Sequence, residues 1–211
     1  MGINNMKSSL VAIALSTLAL SCAASGADVA AEKEDTYLKN ATQTCVSCHG
    51  VNGRSVSAIF PNLAAQTAPY LETQLKAFKN QSRSDPDAQA YMWGMASQLS
   101  DAMIGKLAVY FEKQPAPPPG ETGDRALMAQ GKKVFEEGLP AQKVQACATC
   151  HGDHAQGLAY FPRLAGQHAP YLLKQLLVIQ NALRNAPVMH GVVKDLTREQ
   201  MLAVSAYLES I

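Results

Sequence analysis

Residues 45–50 read Cys-Val-Ser-Cys-His-Gly, and residues 147–152 read Cys-Ala-Thr-Cys-His-Gly. Two cysteines separated by two residues and followed directly by histidine form the attachment signature of a c-type haem. Each thiol at that spacing can form a thioether to a haem vinyl group, and the adjacent imidazole then reaches the iron. The two stretches therefore predict two covalently bound haem c groups, attached through Cys45, Cys48, Cys147 and Cys150.

Both attachment stretches belong to a longer internal repeat. Residues 60–71 read FPNLAAQTAPYL, and residues 161–172 read FPRLAGQHAPYL, 101 positions later. Between the copies, residues 115–120 read PAPPPG, whose prolines lack amide donors and favour an extended path. The repeat predicts a first domain at residues 32–114, a Pro-rich linker at residues 115–120 and a second domain at residues 121–211.

Helical patterns recur in both copies. Thr197, with Gln200 three positions later, forms a capping-box signature for a final helix, and Ser100 opens its counterpart. Pro69 and Pro170 lie where the first helical position tolerates a missing amide. Further helices are expected around residues 32–44 and 125–137, ahead of each cysteine pair. Because no long alternating stretch indicates a sheet, we expect an all-α protein.

The repeat also selects the second axial ligand that a low-spin haem requires. Met92 and Met189 occupy equivalent positions, about 40 residues after each attachment stretch, and we expect both to lie in loops. The predicted axial pairs are His49 with Met92 and His151 with Met189. Other methionines, such as Met103, Met128 and Met201, follow helical patterns and are interpreted as core residues.

Two neighbouring side chains are local alternatives to these methionines. Met95 lies three residues from Met92, but its counterpart is Val192; His190 adjoins Met189, but its counterpart is Trp93, which cannot ligate iron. His190 is therefore interpreted as a surface or haem-edge residue. We expect His154 and His168 to be solvated, since their counterparts are not histidines.

Other interpretations of the cysteine pairs are a zinc half-site, a redox-active dithiol and a structural disulfide. Zinc would require a second Cys/His pair in each copy, whereas the first copy contains only one histidine. A thioredoxin-like site is expected in a βαβ context and does not require histidine at the same position twice. Haem attachment accounts for both stretches.

The amino terminus has the pattern of a secretory signal peptide. Lys7 is followed by an apolar run at residues 10–20 and by small residues, which predicts a signal peptide at residues 1–27 with cleavage between residues 24 and 31. Retention as a membrane span would require ~20 apolar residues. We therefore expect an exported, periplasmic protein. Acylation of Cys22 is an alternative that would associate the protein peripherally with a membrane.

Charge excludes one class of partner. Lysine and arginine number 18 against 17 aspartates and glutamates, so the basic excess of a nucleic-acid-binding protein is missing.

Taken together, residues 35–211 resemble the cytochrome c4 family of dihaem class I cytochromes. The matching features are the paired attachment stretches, the paired Phe-Pro-x-Leu-Ala-x-Gln blocks, residues 83–86 with residues 184–187, and the segments that follow each methionine. The resemblance implies two tandem class I cytochrome c domains with haem propionate edges near the interface between the halves. It also implies that the carbonyls of Pro61 and Pro162 accept hydrogen bonds from His49 and His151, which would orient each imidazole.

These features predict outer-sphere electron transfer between a redox protein donor and acceptor, towards a terminal oxidase or another respiratory acceptor. Because histidine and methionine would fill both axial positions, no bond-making catalysis is expected. Sequence differences such as Asn62 against Arg163 predict two unequal haem potentials. One alternative is a cytochrome subunit docked to a dehydrogenase or oxidase, including a membrane-bound respiratory complex; the other is a dihaem peroxidase.

Overall fold

The computed structural model describes residues 18–120 and 123–211, with side chains described from residue 32 onward except Glu34. Most of the predicted signal peptide, and the side chain of Cys22, lie outside the described residues. Two compact units divide the chain, Met1–Asn40 and Ala41–Ile211, and the second contains both attachment stretches. Among the described residues, no helix has the length and apolarity needed to cross a membrane.

The all-α prediction is confirmed. The described residues contain no β-strand, only two isolated bridges, Leu139 with Val144 and Leu158 with Phe161. Nine α-helices occur among them, in the order α1 Leu18–His49, α2 Ala68–Lys79, α3 Trp93–Ser97, α4 Asp101–Glu112, α5 Arg125–Glu137, α6 Ala148–His151, α7 Ala169–Gln180, α8 Pro187–Val193 and α9 Arg198–Glu209. Short 3-10 turns at Val51–Gly53 and Pro140–Gln142 and a π-helical turn at Ala88–Met92 complete the helical segments.

Each half has its own apolar core. In the first half, α2 packs on α4, whose Ile104, Leu107 and Phe111 are buried. In the second half, α9 packs on both α5 and α7, and Phe135 is fully enclosed at the centre. The crossing of α5 and α9 is close because Gly131 has no side chain: a Cβ there would lie 1.9 Å from the carbonyl oxygen of Ala203.

Most helix starts agree with the sequence. Thr197 and Gln200 form both bonds of a capping box at the start of α9, and Ser100 accepts a hydrogen bond from the amide of Met103 at the start of α4. Helix α5 has the predicted bounds. Pro69 is the second residue of α2 rather than the first, which is equally tolerated because the amides of the first turn lack helical partners.

The prediction that Met92 and Met189 lie in loops is wrong. Met92 ends the π-helical turn, and Met189 lies inside α8. The first copy is four residues longer than the second just before Met92. The π-helical turn occupies this same place, so the extra residues are accommodated as a helical bulge.

Candidate haem-binding sites

Each attachment stretch ends a helix at its histidine. Cys45 and Cys48 lie on the last turns of α1, which ends at His49, while Cys147 occupies the N-cap position of α6, which ends at His151. The next residue is a glycine with positive φ in both copies, 76° at Gly50 and 82° at Gly152. A Cβ at Gly50 would lie 1.9 Å from a backbone oxygen, so only glycine allows the chain to turn here.

The turn brings a proline carbonyl back to each histidine. The Nδ1 atom of His49 lies 2.8 Å from the carbonyl oxygen of Pro61, and that of His151 lies 2.9 Å from the oxygen of Pro162. Because a carbonyl can only accept, Nδ1 carries the proton in both rings. The lone pair is therefore on Nε2, on the opposite side of each ring, where a metal would bind.

Burial keeps both imidazoles neutral. His49 is 8% exposed and His151 is 4% exposed. Burial lowers the pKa of both rings, and the hydrogen bond to the proline carbonyl offsets only part of that effect. Neutral imidazole is the form that ligates metals.

A buried nitrogen without a hydrogen-bond partner indicates which group binds at the attachment stretch of the second half. The Nε2 atom of His151 is buried and has no hydrogen-bond partner, and such an atom is costly unless a ligand satisfies it. Coordination of a haem iron by Nε2 would satisfy this atom, and Cys147 and Cys150 lie on the same short helical segment as His151. The residues present therefore fit a covalently attached haem.

The cysteines lack the properties of a redox dithiol. Cys45, Cys48, Cys147 and Cys150 are free thiols in the described residues. Burial raises the pKa of Cys45 and of Cys147 to about 11. A catalytic dithiol requires the opposite change, because the thiolate is the attacking species.

In the first half, aromatic contacts connect the histidine to the residue next to the methionine. Phe60 packs edge to face against His49, with ring centres 6.1 Å apart, and against Tyr91 at 5.5 Å. Tyr91 immediately precedes Met92. In the second half, Phe161 makes the equivalent contact with His151 at 6.3 Å.

Met92 and Met189 are both half-buried. Met92 packs against the cluster of Phe78, Ala88 and Ala96, and Met189 packs against the cluster around Ile179 and Met201. The alternative Met95 is 54% exposed, which favours Met92 in the first half.

Histidines outside the attachment stretches differ in their surroundings. His154 is exposed, as expected. The prediction for His168 is wrong: its side chain is 19% exposed, and its Nε2 lies 3.0 Å from the carbonyl oxygen of Ser55 in the other half. His190 is half-buried, with Nδ1 2.9 Å from the carbonyl oxygen of Ile179.

Sequence reasoning did not identify the polar residues that join the halves. Buried hydrogen bonds connect Gln167 to Asn62 and Arg83 to Gln175, and a part-buried one connects Gln66 to Arg163. The sequence feature that pointed to these contacts is the glutamine that ends both Phe-Pro-x-Leu-Ala-x-Gln blocks. A repeat aligns equivalent residues, however, and does not show that each contacts the other copy.

Comparison with known proteins identifies the same two regions. A family model described as cytochrome c matches residues 34–114 and 128–211. A cytochrome c-552 of Acidithiobacillus ferridurans is 40% identical over 79% of this chain and 73% of its own length. A protein named thiosulfate dehydrogenase electron acceptor, from Thiomonas intermedia, is 33% identical over 78% of this chain and 77% of its own length. The solved cytochrome c4 of Acidithiobacillus ferrooxidans superimposes with a TM-score of 0.77 at 40% identity, covering 81% of this chain and 99% of that one.

Proposed function

Because this chain belongs to the cytochrome c family, and within it to the cytochromes c4, we propose that it carries electrons between redox partners through two covalently bound haem c groups. The observation that carries the proposal is the paired histidine geometry: two buried, neutral imidazoles, each fixed by a proline carbonyl at 2.8 or 2.9 Å.

In this proposal, each half holds its haem with its own residues. Cys45 and Cys48 attach the first group, and His49 with Met92 supplies the axial ligands. In the second half, the corresponding residues are Cys147, Cys150, His151 and Met189. When bound, each haem supplies a reversible one-electron couple, and thioether ligation raises its potential. The domain boundaries proposed are residues 32–114 and 121–211, joined by residues 115–120.

The protein's own residues have three roles in this mechanism. Pro61 and Pro162 fix the orientation and tautomer of the histidines, which leaves the Nε2 lone pair free to ligate a haem iron. Phe60 and Phe161 pack edge to face against the histidine rings and restrict their rotation. Met92 and Met189 pack against buried apolar clusters, which would hold each thioether in place.

We do not propose bond-making catalysis. A dihaem peroxidase needs an open axial position, whereas this proposal assigns the half-buried Met92 and Met189 to that position in the two halves. The proposed donor and acceptor are redox proteins, the acceptor being a terminal oxidase or another respiratory complex. The proposed location is the periplasm, which follows from the signal-peptide pattern at residues 1–27.

A second candidate function is that of a cytochrome subunit that docks to a dehydrogenase and accepts its electrons. The Thiomonas intermedia relative is named for accepting electrons from thiosulfate dehydrogenase. Size-exclusion chromatography of the native complex separates the candidates: co-elution with a dehydrogenase supports docking, and elution as a free protein supports the shuttle.

Ligation is tested by replacing each methionine in turn. Met92→Ala and Met189→Ala should each remove the thioether-dependent ferric band at the red end of the spectrum for one haem only. Met95→Ala is the matched control, since this exposed methionine lies three residues from Met92, and it should leave both bands intact. Retention of both bands in either axial variant would refute that assignment; in the second half, His190 would then be the alternative ligand.

A further inference from the structure

In each half of Ala41–Ile211, one buried glutamine forms hydrogen bonds to the backbone of the other half. Gln167, 6% exposed, accepts from the amide of Asn62 at 2.8 Å and donates to the Asn62 carbonyl at 2.9 Å. Gln66, 5% exposed, accepts from the amide of Arg163 at 2.7 Å and donates to the Arg163 carbonyl at 2.9 Å. The two contacts are equivalent, with the halves exchanged.

The residue that each glutamine holds directly follows the histidine's proline. The carbonyl of Pro61 and the amide of Asn62 belong to one peptide group, which accepts from His49 on one side and donates to Gln167 on the other. The peptide between Pro162 and Arg163 likewise connects His151 to Gln66. A single peptide group therefore separates each histidine from a glutamine of the opposite half.

Hydrogen bonds in such a chain polarise one another. When the amide of Asn62 donates to Gln167, electron density moves towards the carbonyl oxygen of Pro61, which becomes a stronger acceptor for His49. A stronger acceptor at Nδ1 makes the imidazole a better electron donor at Nε2. A more strongly donating ligand favours ferric iron and lowers the haem potential.

We infer that the two glutamines tune the haem sites crosswise: Gln167 lowers the potential of the His49 site, and Gln66 lowers that of the His151 site. This inference rests on the proposed axial roles of both histidines. It assigns the glutamines as positioning residues that act through the proline peptides, and it makes the potential of each half depend on contact with the other.

The test uses the full haem-loaded protein and two reciprocal variants, Gln167→Met and Gln66→Met. Methionine has a similar length but cannot complete either hydrogen bond. Spectroelectrochemical titration should show a raised potential for the His49 site in Gln167→Met and for the His151 site in Gln66→Met, with the other site little changed. The Met92→Ala and Met189→Ala spectra identify which titration step belongs to which half.

A matched control is Thr67→Val, which removes another hydrogen bond between the halves, from the Thr67 hydroxyl to the carbonyl of Ala159 at 2.6 Å. It should shift neither potential, because that bond does not involve a proline peptide. The conservative Gln167→Glu keeps an acceptor for the Asn62 amide, so the potential of the His49 site should not rise.

Proton NMR of the reduced, diamagnetic protein gives a second readout. The Nδ1 proton of His49 should move upfield in Gln167→Met, as its hydrogen bond weakens, while that of His151 stays in place; Gln66→Met should give the reverse. Equal shifts at both sites, or no shift at either, in a protein that binds two low-spin haems would overturn the crosswise inference alone. A wild-type protein without two histidine-ligated haems would overturn the proposed function, and the inference with it.

Discussion

Replacing Gly131 by alanine should loosen the crossing of α5 and α9 in the second half. The new Cβ would lie 1.9 Å from the carbonyl oxygen of Ala203 and 2.9 Å from Cβ of Tyr207. Both neighbours are part of or next to the α9 backbone, so they cannot move aside by rotating a side chain. Relief requires a shift of the whole helix.

The magnitude follows from two opposing effects. Overpacking against a rigid neighbour costs about 3 kcal/mol, the upper end of the usual range. Alanine is the better helix former, which offsets this loss of stability by about 1 kcal/mol. We therefore expect the free energy of unfolding to fall by about 2 kcal/mol, measured by urea denaturation and far-ultraviolet circular dichroism.

A matched glycine provides the control. Gly105 lies inside α4, and a Cβ there would meet no atom within 4 Å. Gly105→Ala should therefore stabilise the protein by about 0.5–1 kcal/mol through helix propensity alone. If Gly131→Ala were as stable as the wild type, the close contact between the backbones of α5 and α9 would be refuted.

Two further substitutions test features of the fold. Arg83→Met leaves the buried carboxylate of Asp85, 2.9 Å from the guanidinium, without its ion-pair partner, and should lower the free energy of unfolding in urea by about 3–5 kcal/mol. Lys79→Met removes an exposed ion pair and should cause no measurable change. Equal losses of stability in the two variants would contradict the role of burial. Thr197→Ala removes the capping box of α9 and should lower the unfolding free energy by about 1 kcal/mol, whereas Thr197→Ser should retain it; identical stabilities would show that the cap contributes nothing.

Features that depend on residues close together in the chain could be predicted from the sequence. The Cys-x-x-Cys-His spacing alone indicated that two thiols and a histidine lie on one helical segment in each half. Thr197 with Gln200 marked the start of α9 because a capping box involves only four consecutive residues. The bounds of α5 also agree with the expected range, and the helix ends locally at Gly138, its C-cap residue, whose φ is 70°.

Features that depend on the other half could not be predicted. His168 looked solvated because its counterpart Thr67 is not a histidine, yet it contacts Ser55 across the interface and Glu209 in its own half. Gln66 and Gln167 were visible as equivalent residues, but equivalence does not show which copy each one contacts. The loop expected around Met92 failed for another reason: the extra residues form a π-helical turn, and an insertion gives no sign of whether it adds a loop or a bulge.

The central claim is that each half carries its own low-spin haem, held by its own histidine and methionine. Redox titration of the purified protein, followed by optical spectroscopy, tests this claim most directly. We expect two one-electron steps at different positive potentials, with low-spin spectra in both oxidation states throughout. A single step, or a high-spin ferric spectrum at either haem, would contradict the account.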